Sequence, residues 1–395
     1  TAVPSMGTIV SFDVTPSNPV VVPSIFAGMT IRTHARSGAA VPAPTWPYKS
    51  GRTIGMMVSG GDGPGTEPLW WRQIEPNADG NYVWTKADQA MNAMPSSVKK
   101  IFCVYGTPNA YSKRQGVVPN KGWNWPGYHG PPRDEHLPKL RAFVAAFVAR
   151  YGSQIAAIEV GNETLFNYNT SPTEYGDAGR CSPEFLAYEL TLGRNLAQFF
   201  DGSATDYANM VWQVKQSAGS IPVLIGATER PDQAVQVLSR MANAPVTIGG
   251  SGLCKNFADG CSTHFYDYSP RNALDFRSGI DQIRAVLINI GKANWPIYHT
   301  EGGLNYNGNP DNVFAQYLIA AAKRLTTCIT YVHTTDYEQP QHFGAPVNDP
   351  KIVSMMTKAS AMSGATICGA GPVTVNGQSM YWVKLSNGVE HFAPN

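Results

Sequence analysis

Two short stretches of the chain end in carboxylates that could work as a pair. Ile158-Glu159-Val160-Gly161-Asn162-Glu163 is an apolar run that ends in Asn-Glu, and Pro296-Ile297-Tyr298-His299-Thr300-Glu301-Gly302-Gly303 is a second that ends in Glu and two glycines. Two opposed carboxyl groups suit the cleavage of a glycosidic bond. One is protonated and donates to the departing oxygen; the other is ionised and attacks the anomeric carbon or activates water. A separation of about 5–5.5 Å gives retention of configuration and about 6.5–9.5 Å gives inversion. Different surroundings would set the two acidities, with partial burial raising that of the acid and neighbouring Arg or hydroxyl donors keeping the other ionised.

Glu163 and Glu301 stand 138 positions apart, so only a fold that returns to one place can join them. Eight apolar runs recur along the chain: 25–31, 52–58, 100–106, 155–163, 223–228, 263–268, 296–301 and 328–336. Each has the continuous apolar character of a strand buried on both faces. Helical spacing lies between several of them, most clearly over 137–151, where Leu140, Phe143, Val144, Phe147 and Val148 line one face; 183–200, 232–241, 279–291 and 312–325 read likewise. From Thr228 to His264 is 36 residues, from His264 to Glu301 is 37, and from Glu301 to Asp336 is 35. That period predicts repeated strand–helix–strand units, an α/β chain closing into a (β/α)₈ TIM barrel with its chemistry at the C-terminal ends of the strands. Segments 107–136 and 164–182 are long insertions that would build the cleft. The expected organisation is an extended N-terminal segment over 1–23, a catalytic barrel over 24–363 and a small C-terminal β element over 364–395 that packs with the N-terminus. In that tail, Asn376-Gly377 and Asn387-Gly388 separate strand-like runs.

Composition narrows the class. Thirty Lys+Arg against 28 Asp+Glu leave the chain nearly neutral, which gives no electrostatic footprint for nucleic acid. No stretch has the length and apolarity of a membrane span. At 43% hydrophobic residues the chain is too apolar to be disordered. Low charge with 38 Gly and 30 Pro suggests a secreted or periplasmic protein with long ordered loops. Of six cysteines, none has zinc spacing; Cys254 and Cys261 bracket a short loop and are the best guess for a disulfide, while Cys103 and Cys328 read as buried small hydrophobes. The chemistry requires no metal or cofactor, and the partner is a carbohydrate substrate. The oligomeric state is open.

The ordered set of Trp71-Arg72-Gln73-Ile74-Glu75-Pro76, Gly106-Thr107-Pro108, Gly161-Asn162-Glu163 and Thr300-Glu301-Gly302 resembles the retaining glycoside hydrolases of clan A, and most of all family 39. The resemblance runs from about Phe26 to Phe343. It implies that Glu163 is the general acid/base and Glu301 the nucleophile, that Asn162 bonds the sugar 2-hydroxyl, and that His264 and Tyr266 form the strand-six pair, with Tyr266 supporting the nucleophile. Arg52, placed at the start of the second strand, would lie near the nucleophile. Family members tend to have an aromatic soon after Gly-Thr-Pro, where this chain has Asn109-Ala110-Tyr111. His34 after the first strand and Trp123 and Trp125 in the third loop are candidate sugar contacts, since aromatic faces stack on sugar rings; the bland alternatives are solvated surface and loop packing. Glu75 and Asp88 read as residues that orient the loop and helix after strand two. The expected activity is endo-acting, retaining hydrolysis of an oligo- or polysaccharide. A non-catalytic carbohydrate-binding barrel and a polysaccharide lyase are the alternatives.

Overall fold

Eight parallel strands pair edge to edge and close on themselves in the computed structural model. It describes residues 7–30, 40, 43–54, 56, 68–113, 130–164, 200, 202–228, 231–267, 273–304, 310–331 and 348–394. The barrel strands are Ala27–Thr30 (β1), Ser50–Arg52 (β2), Lys99–Val104 (β3), Ile155–Val160 (β4), Val223–Thr228 (β5), Gly260–Asp267 (β6), Ile297–Leu304 (β7) and Thr327–Tyr331 (β8). Their order around the ring follows the chain, and β8 pairs with β1. This is the expected (β/α)₈ barrel. Helices follow β2 to β8 among the described residues: Trp71–Ile74 (α1), Thr85–Asn92 (α2), Leu137–Tyr151 (α3), Ala204–Ser217 (α4), Pro231–Asn243 (α5), Ala273–Asn289 (α6), Pro310–Ala322 (α7) and Pro350–Ala361 (α8). None of them is long and apolar enough to cross a membrane.

The second strand differs from the sequence expectation. It ends at Arg52 instead of beginning there. Beyond Arg52 the chain turns, with the Thr53 N–H donating to the Ile101 carbonyl and the Met56 N–H to that of Thr53. Ile54 packs on Cys103 and Tyr105, and Met56 enters the main core. An apolar run therefore marked two packed turn residues, which periodicity alone cannot separate from a short strand.

Local rules explain the helices that carry the barrel. Leu137, Leu140, Phe143, Val144, Phe147 and Tyr151 recur three or four residues apart on α3 and are buried against the sheet, with Phe147 stacked on Phe102 of β3 at 3.6 Å between ring centroids. Ser203 and Asp206 close α4 with a reciprocal capping box. The tail folds as Thr366–Val375 (β9), Gln378–Leu385 (β10) and Glu390–Pro394 (β11), antiparallel to one another, and the N-terminal pieces Thr8–Ile9 and Val20–Val21 both pair with β9. Asn376 and Gly377 take positive φ of 51° and 78° in the first turn, the mirror-image geometry that suits a two-residue hairpin. Asp13 ties this sheet to the barrel: its buried carboxylate accepts both Arg277 bonds from α6 at 2.7 Å and the Tyr381 hydroxyl of β10 at 2.6 Å, and pairs with Lys323.

The expected Cys254–Cys261 disulfide is absent; both are buried free thiols. Cys254 begins a 3₁₀ turn and Cys261 lies within β6, so one packs against helices while the other belongs to the ring. Cys103 and Cys328 are buried as expected.

The barrel interior changes character along its axis. Ile101, Ala157, Leu224, Tyr298 and Ile329 come from five different strands and form a buried apolar layer of their own. Two residues further along β4, the same inward face carries Glu159, fully buried. A polar layer thus sits on the apolar one.

Candidate active site

The polar layer is built around Arg52, which ends β2 with no exposed surface. Its Nε donates to Glu159 Oε2 at 2.7 Å, its Nη2 to Asn162 Oδ1 at 2.8 Å, and its Nη1 to Glu301 Oε2. Nη2 also lies 3.6 Å from Cys103 Sγ, whose thiol donates to the Gly161 carbonyl. Burial opposes the guanidinium charge, but the neighbouring Glu159 and Glu301 outweigh it, and Arg52 is held charged more firmly than an ordinary arginine. Burial likewise opposes the charge on Glu159, yet Arg52 first, then His264, Thr300 and Ser262, keep its pKa below the usual carboxylate value. The Cys103 thiol is pushed well up by burial and stays protonated.

A bulge in β7 brings Glu301 to this layer. Thr263 of β6 pairs with His299, but the next residue, His264, pairs with Glu301, so Thr300 is an extra residue in β7. In a regular strand Thr300 and Glu301 would face opposite ways. With the bulge both reach the same buried pair: the Thr300 hydroxyl donates to Glu159 Oε1 at 2.6 Å, and Glu301 accepts from Arg52. The glycine after Glu301 is a close-approach position, since a Cβ on Gly302 would fall 2.4 Å from His299 Cε1 and from the Phe265 carbonyl oxygen.

Glu163 arrives from the sharp turn that ends β4. Gly161 has φ +81°, and Glu163 itself adopts φ +41°, a left-handed conformation that costs a non-glycine residue roughly 1–3 kcal/mol. The turn aims the Glu163 carboxylate at buried His264, whose Nδ1 lies 3.1 Å from Glu163 Oε1 and 4.0 Å from Glu301 Oε2. One carboxylate oxygen of each glutamate and one His264 nitrogen all lie within 4.8 Å of one another. A cation could bridge three such atoms, but Arg52 already supplies the positive charge against Glu301, so the trio reads as an acid–base set. Both glutamate side chains keep about a tenth of their surface exposed, 11% each, so the pair faces outward from a closed floor.

Of the residues singled out in the sequence, the fold thus joins Glu163, Glu301, Asn162, His264 and Arg52. Tyr266 lies in β6, but its side chain, like His34, Trp123 and Trp125, is outside the described residues. Sequence reasoning missed Glu159, Thr300 and Cys103. A signal existed for the first: a glutamate inside an apolar run must find a partner or stay out of the core. Trp70 packs on Ile54, Cys103 and Tyr105 at the end of β3.

Glu75 is structural, as read from the sequence. It has no exposed surface and accepts from Trp71 Nε1, the Tyr111 hydroxyl and the Gly80 N–H, each at 2.7 Å. Glu75→Ala strands three donors, and we expect a loss of roughly 3 kcal/mol or more in urea unfolding. Activity per folded molecule should stay within a few-fold of the parent; a catalytic collapse without destabilisation would contradict the assignment. Asp88 plays a similar part, accepting from Arg150 and Tyr151.

His299 points away from the site, against Phe276 of α6 and Cys328. Burial first, and then nearby His264, push its pKa down to about 3. The unfolded chain takes up this proton near pH 6.5 and the folded chain does not, so stability falls as pH drops below about 6.5, with a limiting slope of about 1.4 kcal/mol per pH unit. Urea midpoints at pH 7 and pH 5 should show this loss, and His299→Gln should flatten it; equal slopes in the two proteins would refute it.

No protein-family model matches the sequence, and no curated protein matches it. Solved structures do match in fold. A glucosidase from Croceicoccus marinus superposes with a TM-score of 0.53 at 12% identity, over 98% of this chain and 84% of that one. A GH39 enzyme from Xanthomonas axonopodis pv. citri gives 0.51 at 14% identity, covering 99% and 78%. A GH39 β-xylosidase from Caulobacter crescentus gives 0.51 at 14% identity, covering 94% and 80%. The chain shares their fold, and at such low identity the likeness extends to the fold alone.

Proposed function

We propose that this protein is a retaining glycoside hydrolase that cleaves an oligo- or polysaccharide by double displacement. The observation that carries the reading is the meeting of Glu163 and Glu301 at the C-terminal ends of β4 and β7, with one carboxylate oxygen of each within 4.8 Å of the other, a close approach that favours the shorter carboxyl separation of retaining enzymes. Arg52 holds Glu301 ionised and oriented as nucleophile. Glu163, beside His264, is the acid/base. A Glu301 oxygen bonds to the anomeric carbon as the glycosidic C–O bond breaks, and the Glu163 proton passes to the departing oxygen. Water then attacks the same carbon, gives its proton to Glu163 and releases Glu301 as carboxylate. Asn162, held by Arg52 through its Oδ1, is left to present its amide N–H to the sugar 2-hydroxyl.

The fold shared with a glucosidase and a β-xylosidase supports a sugar substrate. The long segments after β3 and β4, with Trp123 and Trp125 in the first, support endo action on a chain. The low charge supports a secreted or periplasmic location. Proton NMR of the first product formed from a panel of oligosaccharides and aryl glycosides tests the mechanism. The product should appear with the anomeric configuration of the substrate, whereas an inverted product, or an unsaturated one absorbing in the ultraviolet, would overturn it.

A further inference from the structure

Arg52 serves two carboxylates, yet only one of them reaches the cleft. Glu301 faces Arg52, Glu163 and His264 at the mouth. Glu159 lies wholly beneath it and is enclosed by Arg52, Thr300, Ser262, His264 and Cys103. A buried carboxylate is costly, and a site that needed only a clamp on the nucleophile could satisfy Arg52 with neutral acceptors such as Asn162. The Nε and Nη1 bonds of one planar guanidinium point to different carboxylates, so whatever strengthens its hold on Glu159 weakens its hold on Glu301.

We propose that Glu159 is a positioning residue that balances Arg52, so that Arg52 orients Glu301 without quenching its nucleophilicity, and that the Thr300 hydroxyl sets the balance point. The inference rests on the double-displacement reading for its catalytic meaning. When Glu301 forms its ester with the sugar it loses its charge, and Arg52 then remains paired with Glu159 in a neutral layer. The buried site therefore never holds an uncompensated guanidinium during the cycle.

The test reads the ionisation of Glu301 directly, by ¹³C NMR of glutamate-labelled protein, its carboxyl signal identified by loss in Glu301→Gln. In Glu159→Gln, Arg52 turns its undivided charge on Glu301, and the Glu301 titration should move down by roughly one pH unit. The acid limb of kcat/KM on an aryl glycoside should follow, with kcat/KM near neutral pH falling roughly 10-fold. In Thr300→Val, Glu159 loses a donor and draws Arg52 more strongly, so the Glu301 titration should move the other way by a few tenths of a unit. A purely structural role predicts no movement, or movement in the same direction in both variants, and either result overturns the proposal. If Glu159→Gln does not fold, the sign of the Thr300→Val shift decides alone. If the protein hydrolyses no glycoside, the reading of the reaction fails while the titrations still decide this inference.

Discussion

Glu301→Gln is expected to lower turnover by roughly 10⁴–10⁶-fold with the fold intact. The amide keeps the size of the side chain and can still accept from Arg52, so circular dichroism and the unfolding midpoint should change little. What it loses is the charge that attacks the anomeric carbon. Glu163→Gln should behave differently. On an aryl glycoside with a good leaving group, the first step needs little acid help, while the second still needs a base for water. The glycosyl-enzyme should then accumulate, and intact mass spectrometry should show one added sugar residue on the chain. Near-parental turnover in Glu301→Gln would remove the basis of the assignment.

The largest effect on stability should come from Arg52→Met. Arg52 and Glu159 are each fully buried, and losing the cation leaves a carboxylate in the barrel interior without the charge paired to it. The expected loss is about 3–5 kcal/mol. The double variant Arg52→Met/Glu159→Leu removes both charges and should regain most of that stability, because well-packed apolar side chains can replace a buried ion pair at little cost. Activity should not return with it, since Glu301 would still lack its donor. Urea unfolding of both variants separates the two roles. A double variant no more stable than the single one would show that the pair is not the interior unit described.

Much of this was legible in the sequence because repeated physics wrote it there. The 35–37-residue spacing reported the strand–helix period, and the apolar runs reported strands covered on both faces. Two carboxylates at run ends reported the mouth of the ring. The second strand was misplaced because Ile54 and Met56 are buried for reasons of turn packing, which yields the same apolar text as a strand. The disulfide guess failed because cysteines close in sequence were assigned to different layers by the fold. Thr300 went unread for another reason. That it and Glu301 both face inward depends on a one-residue bulge in β7, and no feature of composition or periodicity marks where a ladder skips a residue.

That bulge has a consequence for how such a molecule bears the loss of a residue. Deleting Thr300 would let β7 run straight with the glutamate still facing inward, next after the outward His299, but Glu159 would lose the hydroxyl that donates to it. The nucleophile would remain, but the layer beneath it would be short of a donor, so here the count of amino acids in one strand matters as much as their identity.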